Sequence, residues 1–129
     1  MVRKTLNVGD YTTEKLLKFF VIERKSPTDL YSTLLKGHKR FKKELQRAEK
    51  SDIQLVIYVE CSRKSFLEKD YPGSEYQEYS SDTLEKIIRT MKLRYDLEIV
   101  WCRSRESMEK SIYNRLKKEE HELHNNRRR

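Results

Sequence analysis

"VIERKSPTD", residues 21–29, sets an apolar stretch against a dense run of charge and a proline, and its reading fixes where a strand gives way to a helix. Ser26 suits a helix N-cap, Pro27 the first helical position and Asp29 the third position of a capping box. Leu30, Leu34 and Leu35 then supply one apolar face, and Gly37 ends it. The preceding "FFVIERK", residues 19–25, reads as a strand. "RKTLNV", residues 3–8, reads as its antiparallel hairpin partner, broken at Gly9-Asp10 and joined through the polar stretch "YTTEK".

Downstream, residues 38–50 carry Phe41, Leu45 and Ala48 at helical spacing, with charge elsewhere. "IQLVIYV", 53–59, is continuously apolar and rich in β-branched residues, as a strand covered on both faces of an α/β sheet would be. It ends at Glu60. Residues 61–80 form the longest irregular region, with tyrosines at 71, 76 and 79. A helix over 82–95, a strand over 97–102 and a last helix from 105, with Met108, Ile112, Tyr113 and Leu116, complete the pattern. Strand, helix, strand, helix implies parallel crossovers. The fold class expected is therefore α/β, one domain over 1–122 with a mixed sheet flanked by helices. The basic tail at 123–129 is expected to fray.

The 129 residues suit one compact domain. Charged residues make up 39% and apolar ones 36%, but the apolar residues fall in dense blocks, which excludes a disordered polyelectrolyte. A formal net charge of +8 favours an anionic partner such as nucleic acid. Cys61 and Cys102 have no metal-type spacing and each lies at a strand end, so both read as reduced packing residues. There is no apolar run long enough for a membrane span and no signal-like N-terminus. The expected location is intracellular, cytoplasm or nucleus, with no membrane partner.

Side chains alternate across a strand, so Glu23 and Lys25 share one face and Arg24 points to the other. If Asp10 folds back beside Glu23, the two carboxylates offer oxygen ligands to Mg²⁺ or Mn²⁺. A cation at Lys25 beside them would stabilise charge on a reacting phosphate. Residues 36–50 hold seven Lys or Arg against two acids, and Lys39, Arg40, Lys42 and Lys43 are the candidate contacts to a phosphate backbone. His121 and His124 lie three apart in the polar tail with no third ligand nearby and read as surface residues.

"VGDY" followed by "VIERKSPTDL" resembles the G-D, spacer, E-R-K-x-x-x-D signature of the XPF/Hef family of structure-specific DNA endonucleases. The order of "LNVGDY", "FFVIERKSPTDLYSTLLKG" and "RFKKELQRAEKSDIQLVIYVE" follows that family's nuclease domain over about residues 5–120. The resemblance implies a restriction-endonuclease-like fold and Mg²⁺-dependent hydrolysis of DNA phosphodiesters, near branches, flaps or junctions. It implies that Asp10 and Glu23 hold the metal, that the Arg24 carbonyl completes its shell and that Lys25 is the catalytic lysine. Arg24, Asp29 and Glu60 are implied as supporting residues. It also implies a homo- or heterodimer formed through the C-terminal helices, a competing use for the Met108, Ile112 and Leu116 stripe. Family members usually open with a strand and helix bearing an Asp and an Arg-Glu pair, and neither precedes the G-D motif here.

Two other readings stand beside this one. A catalytically silent DNA-binding or scaffold subunit would lack the opening acids, although it would have no need of E-R-K. A basic RNA-binding adaptor would use the tyrosines of 61–80 to stack bases, without any metal.

Overall fold

The computed structural model describes residues 2–3 and 10–127, and the side chains of 10–125. Among these, five strands form one mixed sheet in the order β1 (Val2–Arg3), β2 (Tyr11–Thr12), β3 (Phe20–Lys25), β4 (Gln54–Glu60) and β5 (Glu98–Cys102). β1 and β2 pair antiparallel, as do β2 and β3, while β3, β4 and β5 run parallel. Most of the strand expected at 3–8 lies outside the described residues. The polar stretch expected to be only a connector instead contributes β2. Tyr11 pairs with Ile22, and the buried Thr12 donates its hydroxyl to the Phe20 carbonyl at 2.7 Å, which satisfies the polar group that made this segment look like a loop.

Two crossovers link the parallel strands. α1 (Pro27–Leu34) and α2 (His38–Lys50) join β3 to β4; α3 (Arg63–Leu67) and α4 (Ser81–Tyr95) join β4 to β5. All four pack on one face of the sheet, where Val21, Leu55, Ile57 and Val59 meet Leu30, Phe41, Leu45 and Leu84. α5 (Arg105–Arg127) covers the other face, against Phe20, Ile22, Val56 and Tyr58. Coverage on both sides explains the unbroken apolar run of β4, whose residues Leu55 to Val59 are all buried.

The long irregular region is more ordered than its composition suggests. Besides α3 it holds a 3₁₀ turn at Ser74–Tyr76. Tyr71 stacks on Phe66 with ring centroids 6.0 Å apart, and Tyr79 meets Tyr31 edge-on at 6.3 Å. Tyr76 is 87% exposed. Two of the three tyrosines that a base-stacking adaptor would need are thus engaged within the fold.

α5 bears on two expectations. It stays helical to Arg127, through residues expected to fray. Met108, Ile112 and Leu116 are buried against the sheet and are not a free face for a second subunit. Arg115 ties this helix to the sheet edge: its guanidinium grips both carboxylate oxygens of Glu98 at 2.7 and 3.0 Å and reaches Glu119 at 2.8 Å. That guanidinium holds the Glu98 carboxyl below its usual range. Cys61 and Cys102 are both buried and free, as expected.

Candidate active site

The site forms at the C-terminal end of β3, where strand alternation does what the sequence requires of it. Val21 faces α1 and α2, so Glu23 and Lys25 follow it onto that side, and Arg24 follows Phe20 and Ile22 toward α5. Lys25 Nζ stands 3.5 Å from Glu23 Oε2, with the two side chains only 17% and 13% exposed. β3 stops here because Ser26 caps α1: its hydroxyl accepts the Asp29 N–H at 3.1 Å, and Pro27 occupies the first turn.

Asp10 reaches this strand end from the far side of the β2–β3 hairpin. Its N–H donates to the Ile22 carbonyl at 2.8 Å, and its Oδ2 accepts the N–H of Arg24 at 3.1 Å. The carboxylate is thereby held against the backbone between Glu23 and Lys25, with Oδ1 left over.

Glu23 Oε2 is fully buried and accepts no hydrogen bond. Burial raises its carboxyl above the usual range, to about 7; Glu44 and Asp10 add like charge, and Lys25 pulls the other way. Glu44, which sequence reasoning missed, comes from α2. Its signal was present: Phe41, Glu44, Leu45 and Ala48 occupy the i, i+3, i+4, i+7 positions of one face, an acid within an otherwise apolar stripe.

A cavity of about 740 Å³ opens beside Glu23 and Lys25, between the end of α1 and the length of α2. Lys36, Lys39, Arg40 and Arg47 line it together with Glu44. Lys36 and Arg47 were not foreseen as site residues, since periodicity alone does not tell which basic positions border a hollow.

Other expected site residues lie elsewhere. Lys42 turns toward α4, where it borders a smaller hollow with Lys86 and Arg94, and Lys43 is exposed and outside the cavity. Asp29 is exposed at the start of α1, where its backbone N–H meets the cap. Glu60 pairs with Cys102, one residue beyond the Lys25 and Val59 pair, and alternation puts it on the α5 side of the sheet. It is therefore not on the face that carries Glu23 and Lys25.

Among the described residues, no three His, Cys, Asp or Glu side chains gather as a metal site. The carboxylates of Asp10 and Glu23, carried at one end of β3, are the oxygen donors that would suit a hard ion that keeps several of its waters. The buried Oε2 of Glu23, which accepts no hydrogen bond and has only the Lys25 ammonium 3.5 Å away, is the atom such an ion would satisfy.

The model of the ERCC4 domain matches residues 1–114. The chain belongs to the ERCC4 domain family. The resemblance read from "VGDY" and "ERKSPTD" is borne out, and this ERCC4 domain has the XPF-type nuclease fold. A solved structure, XPF from Aeropyrum pernix in complex with DNA, superposes with a TM-score of 0.64 at 21% identity, over 90% of this chain and 52% of that one. The ERCC4 domain described here thus spans about half the length of that protein. Comparison with curated proteins gave no match. Among the described residues no helix is long and apolar enough to cross a membrane.

Proposed function

We propose that this domain is a divalent-metal-dependent DNA endonuclease that hydrolyses phosphodiester bonds at branched, flap or junction DNA. The observation that carries this reading is the buried Glu23 Oε2, which accepts no hydrogen bond and stands in an ion pair with Lys25 Nζ, with Asp10 hydrogen-bonded to the same strand end. Asp10 and Glu23, with the Arg24 carbonyl, would hold Mg²⁺ or Mn²⁺. When bound, such an ion lowers the pKa of a water and neutralises charge on the phosphate. Lys25 Nζ, held by Glu23, orients the attacking water and stabilises negative charge developing on the phosphate oxygens. Arg24, through its N–H, positions Asp10. Lys39 and Arg40 approach the DNA backbone, a contact that orients the strand without reading its sequence. Asp29 serves through the helix start that ends β3. Pairing with a second subunit, where it occurs, would use a surface other than the Met108 stripe.

A second reading, a catalytically silent DNA-binding or scaffold subunit, draws on the basic lining of the cavity, since Lys36, Lys39, Arg40 and Arg47 can hold phosphates without cleaving them. One experiment separates the two. Wild type, Lys25→Ala and Asp10→Asn are incubated with duplex, forked, flapped and four-way DNA in Mg²⁺ or Mn²⁺. Cleavage of the branched substrates by wild type, reduced at least about 100-fold in both variants, supports the nuclease. Equal cleavage by all three overturns the assigned site, and tight binding with no cleavage by any of them supports the silent subunit.

A further inference from the structure

Lys36, Lys39, Arg40 and Arg47 line a cavity of about 740 Å³ in which, among the described residues, Glu23 and Glu44 are the only carboxylates. None of these four is in an ion pair with a described carboxylate, so all four are free to meet an anion, and what sets them apart from the other unpaired basic residues is that they share one hollow. Basic residues on an exposed helix are ordinarily solvated and scattered. Here the cavity wall gathers them: Lys36, Lys39, Arg40 and Arg47 border one hollow between the end of α1 and α2, while Lys42 borders a separate hollow toward α4. The result is a concave, cation-lined space adjoining Lys25, and its volume is in the range that encloses a whole small ligand.

Shape then decides which anion fits. Duplex DNA is stiff, with a persistence length of about 50 nm, and lies across a concavity of this size. An unpaired strand bends, and its phosphates can enter. We propose that the cavity is a binding subsite for one single-stranded segment, whose backbone phosphates are held by Lys36, Lys39, Arg40 and Arg47 without any metal. The inference rests on the nuclease reading only in identifying that segment as part of the DNA to be cut next to Lys25. It differs from a general basic face on α2, because it includes Lys36 and Arg47 and leaves out Lys42 and Lys43.

The test is fluorescence anisotropy in EDTA, with a short labelled oligothymidylate as the probe and an unlabelled duplex of equal length as the competitor. The proteins are wild type, Arg40→Gln/Arg47→Gln and Lys42→Gln/Lys86→Gln, the last two residues bordering the separate hollow toward α4, each confirmed as folded by circular dichroism and thermal melting. The expected result is binding by wild type, a loss of at least tenfold in the Arg40/Arg47 variant, and little change in the Lys42/Lys86 variant. The slope of log affinity against log salt should fall by about 0.7 for each phosphate contact removed. Equal losses in both variants, or displacement by the duplex as effective as by the unlabelled single strand, would overturn the subsite and leave a diffuse basic surface. Since no metal is present and no cleavage is read, an inactive protein can still bind as proposed. Conversely, a protein that cleaves in Mg²⁺ but binds equally well in all three forms refutes the subsite and not the nuclease.

Discussion

Lys25 Nζ sits 3.5 Å from a Glu23 oxygen that has no hydrogen bond and no access to water. The pair is two residues apart on one strand, so the strand itself sets the spacing. What makes it chemically unusual is the surrounding burial, which keeps the carboxyl partly protonated near neutrality even with a cation beside it.

That burial makes stability depend on pH. Between about 4.5 and 7 the folded protein holds a proton on Glu23 that the unfolded chain releases. Stability from this group is fully present below the unfolded value and is lost as pH rises through the folded one. Glu23→Gln should remove that decline and gain up to about 3 kcal/mol on wild type above neutral pH. Urea unfolding of both proteins from pH 4 to 8 is the check; parallel curves would show that Glu23 titrates normally.

Glu44 adds to the raised value, through both its charge and its contact with Glu23. Glu44→Gln should therefore lower the Glu23 pKa while leaving it above the ordinary range, because burial is the larger cause. Carboxyl carbon shifts followed by NMR through a pH titration would report this, and an unchanged midpoint would remove Glu44 from the site.

Asp10 has a structural part apart from any metal. Asp10→Ala deletes the acceptor of the Arg24 N–H and should cost about 1.5–3 kcal/mol, the usual range for a hydrogen bond to a charged group. Asp10→Asn keeps an acceptor oxygen and should cost less. Equal denaturation midpoints for the two variants would mean that the hairpin is held elsewhere.

Met108, on α5, is completely buried against the sheet. Met108→Ala should lower stability by about 2–5 kcal/mol and leave the oligomeric state unchanged in sedimentation, as expected of a core position. A change in mass with little loss of stability would return this stripe to a subunit interface.

Much of the fold was legible because it is written in local patterns. The cap at Ser26-Pro27, the α2 stripe Phe41, Leu45 and Ala48, and the apolar run of β4 each specify an element through periodicity or turn chemistry. β2 was not legible, since two residues of "YTT" form a strand only when Thr12 finds the Phe20 carbonyl across the hairpin. The stripe on α5 was legible as apolar, but not what would cover it.

The sequence by itself determined the order of the elements other than β2 and α3, the shared face of Glu23 and Lys25, and the motif that pointed to its family. The first two follow from 2-residue and 3.6-residue repeats, which a single chain displays without partners, and the motif from the identity of its residues. Only the tertiary structure decided that Asp10 caps the Arg24 N–H, that Glu44 presses on Glu23, that Glu60 faces the opposite side of the sheet, and that Lys36 and Arg47 share a cavity with Lys25. These depend on which elements pack together and on how much water they exclude, and desolvation belongs to a residue's surroundings and not to its place in the sequence.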